Sequence, residues 1–298
     1  LYNGSNQIKV FEESGTFAGE IFVPEFHRAS IRAGKDKEAF VTVVSFTTPE
    51  TTYRIDLDTG GRTIWDQRQI DWSPENIVVE QVWRNSIDGT HVPMWVVHHK
   101  DVQLNGKNPT WLSGYGGFYV ARKPSFSPTL ALWLELGGVY ALATLRGGSE
   151  FGESWHRDGM LLNKQHVFDD FISAAEFLID KGYTNPDKLV IQGGSNGGLL
   201  VGAALTQRPE LFRAVICDFP DVDILRFPWY ATSNNAPALL EYGNSKIREQ
   251  FEAIRKYSPY QNVRTNTAYP AVMFSTGDLD TRVPPSAAFK MAARLQAY

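Results

Sequence analysis

The run Gly193-Gly194-Ser195-Asn196-Gly197-Gly198 constrains this chain more than any other. Before it, Lys188-Leu189-Val190-Ile191-Gln192 reads as a buried strand; after it, Gly197-Gly198-Leu199-Leu200-Val201 opens a helix. A serine on so sharp a strand-to-helix turn needs small neighbours, because the backbone is strained and passes close to the adjoining strand and helix. Glycines at 193, 194, 197 and 198 meet that need. The turn offers Ser195 as a nucleophile, and the backbone N–H of Asn196, at the positive end of the new helix, points toward a developing oxyanion. A tightly packed turn or a phosphate cradle uses glycine in the same way, but no Gly-Lys-Ser/Thr follows, so this is not a P-loop.

The surrounding pattern fits such a turn. After Trp72-Ser73-Pro74, Ile77 to Trp83 and Val92 to Val97 flank a turn at Asp88-Gly89 and predict a hairpin. Trp111-Leu112, Val139 to Thr144, Leu189 to Gln192, Ala214 to Cys217 and Ala271 to Ser275 read as buried strands. Helical patterns lie between and after them: Val167 to Lys181, Asn196 to Gln207 and Ala287 to Leu295. Strand alternating with helix predicts an α/β fold, a mostly parallel sheet covered on both faces. Residues 1–74 differ: Gly19 to Val23, Ala39 to Phe46 and Thr52 to Leu57 read as short antiparallel strands, with a turn at Asp58-Thr59-Gly60-Gly61 and no helix. We therefore expect two domains, 1–74 and 75–298.

Composition narrows the function. At 298 residues, 43% hydrophobic and 21% charged, the chain buries a large core in the manner of a soluble globular protein. A net charge of -4 with dispersed Lys and Arg leaves no footprint for nucleic acid. The lone Cys217, among Ala214-Val215-Ile216, reads as a buried thiol and fits a reducing, cytoplasmic compartment. No apolar run reaches the roughly 20 residues that span a bilayer. The chain starts at Leu1 rather than Met, so a targeting segment, for a periplasmic or secreted address, would lie upstream. His98-His99 has no carboxylate or cysteine at ligand spacing, and neither a metal nor a cofactor is expected.

A serine nucleophile on a parallel sheet takes its acid and then its histidine from later in the chain. The loop Gly277-Asp278-Leu279-Asp280-Thr281-Arg282-Val283-Pro284, after the strand Ala271 to Ser275, offers Asp278 and Asp280. The six histidines, His27, His91, His98, His99, His156 and His166, all precede Ser195. His156 in a loop and His166 at a helix start read as hydrogen-bonded structural groups. The general base is expected beyond Tyr298, which makes the 298 residues alone inactive.

Taken together, five ordered segments resemble the prolyl oligopeptidase family of serine peptidases. They are Gly114-Tyr115-Gly116-Gly117-Phe118; Arg146 to Gly152; Asn163-Lys164-Gln165 with Phe168-Asp169-Asp170-Phe171; Gly193 to Gly198; and Asp280-Thr281-Arg282-Val283. The resemblance runs from about Asp71 to the end, and Phe40 to Leu57 is similar to the family's last propeller strands. It implies an α/β-hydrolase domain capped by a β-propeller that admits only short peptides, and acyl-transfer endopeptidase chemistry, possibly after proline. It implies Asp280 as the acid, the Tyr115 hydroxyl as an oxyanion donor beside the Asn196 N–H, and Arg282 as a substrate-positioning cation. Phe118, Tyr242 and Val283 fall where the family lines the pocket for the residue before the cleaved bond. Two positions depart from the pattern. A proline-stacking tryptophan is expected shortly before Tyr242-Gly243, where this chain has Asn234-Asn235-Ala236-Pro237-Ala238-Leu239-Leu240-Glu241, with Trp229 out of register. Asp221 replaces an apolar pocket residue, which favours a polar or basic side chain in the substrate. An esterase or exopeptidase of the same superfamily, and a binding-only protein without its histidine, are the competing readings.

Overall fold

The computed structural model describes residues 6–230 and 236–298; Asn234 and Asn235 of the departing segment lie outside them. The chain divides into two units, residues 1–79, 97–100 and 123–137 in one and the remainder in the other.

In the first unit, β1 (Ile8–Phe11) pairs with β2 (Phe17–Ile21), and β3 (Arg28–Ala33), β4 (Glu38–Val44), β5 (Thr51–Asp56) and β6 (Arg62–Gln67) form an antiparallel sheet in sequence order. Alternation sets its core: Ala39, Val41 and Val43 are buried together with Ile55. The Asp58–Gly61 turn closes because the Asp56 carboxylate accepts from the N–H groups of Asp58 and Thr59 at 3.0 and 2.9 Å. Strands β1, β3 and β6 are additions to the expected set. β6 is exposed throughout and β3 nearly so, which leaves them no buried apolar face to announce them. Helix α1 (Pro128–Glu135) also falls in this unit, capped by Ser127 and started by a proline at its first position.

The strands β7 (Ile77–Asn85), β8 (His91–His99), β9 (Thr110–Ser113), β10 (Val139–Ala143), β11 (Leu189–Gly194), β12 (Ala214–Asp218) and β13 (Ala271–Ser275), all but the start of β7 and the end of β8 in the second unit, form a sheet ordered β13-β12-β11-β9-β10-β8-β7. The five strands from β9 to β13 run parallel. Every residue of β10 is buried, so both faces are covered there. The helices are α2 (Glu153–Arg157), α3 (Gln165–Asp180), α4 (Asn196–Gln207), α5 (Phe227–Tyr230), α6 (Leu239–Tyr242), α7 (Arg248–Tyr257), α8 (Pro259–Asn262) and α9 (Ser286–Ala297). Helix α3 turns Val167, Phe168, Phe171, Ala174, Ala175 and Leu178 into the core, the face its period predicts. His156 lies in the short helix α2 rather than in a loop, because Gly152 at positive φ turns the chain into it.

Register settles where chemistry can gather. Ser113 of β9 pairs with Gln192 of β11, and Gly194 of β11 with Asp218 of β12, which pairs with Ser275 of β13. The segments leaving these strands, with Tyr115, Ser195, Asp221 and Asp280, therefore emerge from one edge of the sheet, the carboxyl edge where open α/β sheets hold their sites.

Candidate active site

Ser195 joins β11 to α4 at φ 58 and ψ -122, a conformation that costs a non-glycine residue about 1–3 kcal/mol and persists only where the surroundings impose it. They do so through hydrogen bonds and close packing. The Ser195 N–H donates to the Asp218 carbonyl at 3.0 Å, and the Ser195 carbonyl accepts from Gly198 at 2.8 Å. A side chain at 193 would collide with the Gly197 carbonyl, and one at 198 would sit 2.6 Å from Pro220 Cβ.

Asn196 does more than the sequence disclosed. Its N–H belongs to the first turn of α4 and has no acceptor within the helix. Its side-chain amide donates to the Tyr115 carbonyl at 2.6 Å, tying the loop after β9 to the elbow. The Tyr115 hydroxyl stands close enough to Ser195 for the serine to act on its ionisation. Partial burial raises the Tyr115 pKa above its ordinary value of 10.0, against the opposing effects of Ser195 and Arg282, so the phenol keeps its proton at neutral pH and remains a donor.

Asp280 lies in the loop after β13, and its Oδ1 accepts from the N–H groups of Arg282 and Val283 at 2.9 and 2.8 Å. Asp278 is exposed beside it. Val283 is buried and Arg282 is on the surface, within electrostatic reach of Tyr115 and Asp221.

Phe118 meets Tyr242 edge to face with ring centres 5.5 Å apart, and Phe227 stands behind Tyr242 at 5.9 Å. Asp221 is 6% exposed, and its Oδ2 accepts from the Tyr242 hydroxyl at 3.4 Å. Burial, with Asp280 adding to it, pushes the Asp221 pKa up to about 7. Trp229 is 65% exposed, with the Lys246 ammonium over its ring.

Behind this wall is a polar network whose function the sequence did not disclose. The buried Lys164 ammonium donates to the Gly116 carbonyl and to Glu241, both at 2.9 Å, and His156 Nε2 meets the other Glu241 oxygen at 2.8 Å. It anchors the Tyr115 loop and the helix bearing Tyr242. Its visible trace is Lys164 within the polar run Asn163-Lys164-Gln165-His166 ahead of the apolar face of α3. His166 Nδ1 meets the Asp158 carbonyl and His91 stacks on Trp83. The hydrogen-bond and ring contacts of His91, His156 and His166 thus include neither Ser195 nor Asp280 among the described residues.

A family model described as "Prolyl oligopeptidase family" matches residues 124–298, more than half of the chain, and one described as "Prolyl oligopeptidase, N-terminal beta-propeller domain" matches residues 1–68. This chain belongs to the prolyl oligopeptidase family. A prolyl endopeptidase of Elizabethkingia miricola is 39% identical over 295 residues, covering 98% of this chain and 42% of that protein. A dual function macrocyclase-peptidase of Galerina marginata is 36% identical, over 99% of this chain and 41% of its own. Among solved structures, one from a structural and mechanistic analysis of two prolyl endopeptidases superposes with a TM-score of 0.95 at 43% identity, over 99% of this chain and 44% of that one. Prolyl oligopeptidase B of Galerina marginata, as a histidine-to-alanine mutant bound to a 35mer hydrolysis and macrocyclization substrate, gives 0.92 at 36% identity, over 98% and 42%. The chain thus spans about two-fifths of the length of these relatives. Its α/β-hydrolase sheet and propeller-like strands are those of the family. Among the described residues, no helix is long and apolar enough to cross a membrane.

Proposed function

We propose that this chain carries the nucleophile, acid and substrate slot of a serine endopeptidase that cleaves short peptides after proline. The observation that carries the reading is Ser195, held at positive φ on the β11–α4 elbow with the Tyr115 hydroxyl close by. Ser195 Oγ attacks the peptide carbonyl carbon as a histidine takes its proton. The tetrahedral oxyanion is met by the Asn196 N–H and the Tyr115 hydroxyl, donors worth about 3–4 kcal/mol each. Collapse expels the amine, which takes the proton back from the histidine; water, activated by the same base, then releases the acyl group.

Asp280 is the acid in this reading. Its Oδ1 is held by two backbone N–H groups, which leaves Oδ2 for the histidine, whereas Asp278 is exposed. Phe118, Tyr242 and Val283 wall the slot for the residue before the cleaved bond, and proline packs its ring on such faces. Arg282 offers a planar cationic fork to a substrate carbonyl. We place the division between propeller part and hydrolase part near residue 74. The histidine is taken to come from outside these 298 residues, which alone turn over no peptide.

The test is hydrolysis by the full-length protein. Blocked peptides with proline before the cleaved bond should be cleaved within the chain, with kcat/KM well above that for short esters. Removal of residues only from a free terminus, or a preference for esters, would replace the endopeptidase by an exopeptidase or esterase.

A further inference from the structure

The slot walled by Phe118 and Tyr242 contains a group that a purely apolar pocket does not need. Asp221 is buried, and while Oδ2 accepts from the Tyr242 hydroxyl at 3.4 Å, Oδ1 has no hydrogen-bond partner among the described residues. An ionised carboxylate with an unsatisfied oxygen out of water is costly unless a donor arrives or a proton binds. The groups that face it come from every neighbouring element. The loop after β9 brings the Tyr115 hydroxyl, α5 brings Tyr230, α6 brings Tyr242, and the loop after β13 brings Asp280 and Arg282. Asp280 and burial favour the neutral acid; Arg282 and the Tyr242 hydroxyl favour the carboxylate. Asp223, two residues along, is engaged with Lys290, Arg226 and Gln261.

We propose that Asp221 selects the residue before the cleaved bond: as a neutral acid it leaves the slot to proline and other apolar residues, and as a carboxylate it favours lysine or arginine, whose donors fill the free Oδ1. The proposal rests on the peptidase reading for the location of the slot. An ammonium or guanidinium beside a buried carboxylate forms a short charge-assisted bond that an aliphatic side chain of equal length cannot make. Burial that holds the acid near neutrality makes both states accessible in the pH range of ordinary assays.

The experiment compares blocked dipeptide aminocoumarin amides with lysine, norleucine or proline before the scissile bond, at pH 5.5 and 8.5, in the full-length protein. The ratio of kcat/KM for lysine to that for norleucine cancels the titration of the catalytic base, which all three substrates share. The ratio should rise on the order of tenfold between the two pH values, and it should be flat in Asp221→Asn, which keeps the shape and loses the ionisation. A flat ratio in the unaltered protein, with proline cleaved normally, overturns the selector and leaves the peptidase reading standing. The same rise in Asp221→Asn overturns it as well. Calorimetry of the peptide acids with Ser195→Ala provides a readout that needs no turnover. Lysine should be bound more tightly than norleucine at pH 8.5, and equally at pH 5.5. That preference in an unaltered protein that hydrolyses nothing would remove the peptidase reading and with it the selector, leaving Asp221 only a site for basic side chains.

Discussion

The elbow at Ser195 and the loop at Asp280 leave the same edge of the same sheet, yet they are held in opposite ways. The elbow is set by its neighbours: Gly193 and Gly198 lie against the backbone of Gly197 and the ring of Pro220, and Asn196 reaches across to Tyr115. The Asp280 loop is set mostly by itself, its carboxylate bonding two N–H groups of its own turn, while Leu279 is 92% exposed. In the proposed reading, a strained nucleophile needs rigid walls to hold it, whereas an acid that has only to orient a histidine can rest on a local turn.

The sharpest way to break this contrast is Gly193→Ala. The added methyl meets backbone that cannot rotate away, and we expect a loss of about 4 kcal/mol, read as a fall in thermal midpoint of roughly 10 °C. A normal melt would show that the elbow is looser than its packing indicates.

Next comes Asp221, between the two regions. Its pKa of about 7 lies above the unfolded value of 3.8, so the folded state binds its proton more tightly. The stability of that protonated fold is fully present below about pH 4 and is lost as pH rises through 7. Asp221→Asn should therefore stabilise the chain by ~3 kcal/mol at pH 8 and by nearly nothing at pH 4. Urea midpoints at the two pH values measure this, and an equal effect at both would remove the titration.

Asp280→Asn should cost only about 1 kcal/mol in a urea melt, since the amide oxygen still accepts from the turn. In the full-length protein the same change should reduce kcat by about 10⁴-fold, because the histidine loses the partner that orients it. Leu279→Ala should change neither stability nor rate measurably, as an exposed side chain gives up no packing.

Much of this was legible in the sequence, for reasons that differ between the two regions. The elbow announced itself because steric crowding leaves few choices besides glycine, and the strands β9 to β13 because apolar runs bounded by turns have one natural state. Asp280 stood out from Asp278 only by resemblance; the two N–H groups of Arg282 and Val283 that its carboxylate accepts from appear only in the structure. The Lys164–Glu241–His156 network joins residues far apart in the chain, and pairing across such distances leaves no periodic trace. Helix α1 was missed although Ser127-Pro128 is a start signal, because its eight residues carry little amphipathic contrast. Asp221 was noticed as out of pattern, but its unpartnered oxygen exists only once β12 and α6 are brought together.

The central claim is that Ser195 is the activated nucleophile. Treating the full-length protein with a fluorophosphonate and mapping the adduct by mass spectrometry tests it directly. The account predicts one adduct, on Ser195, absent from Ser195→Ala. Labelling that survives the substitution, or falls on another residue, would contradict it.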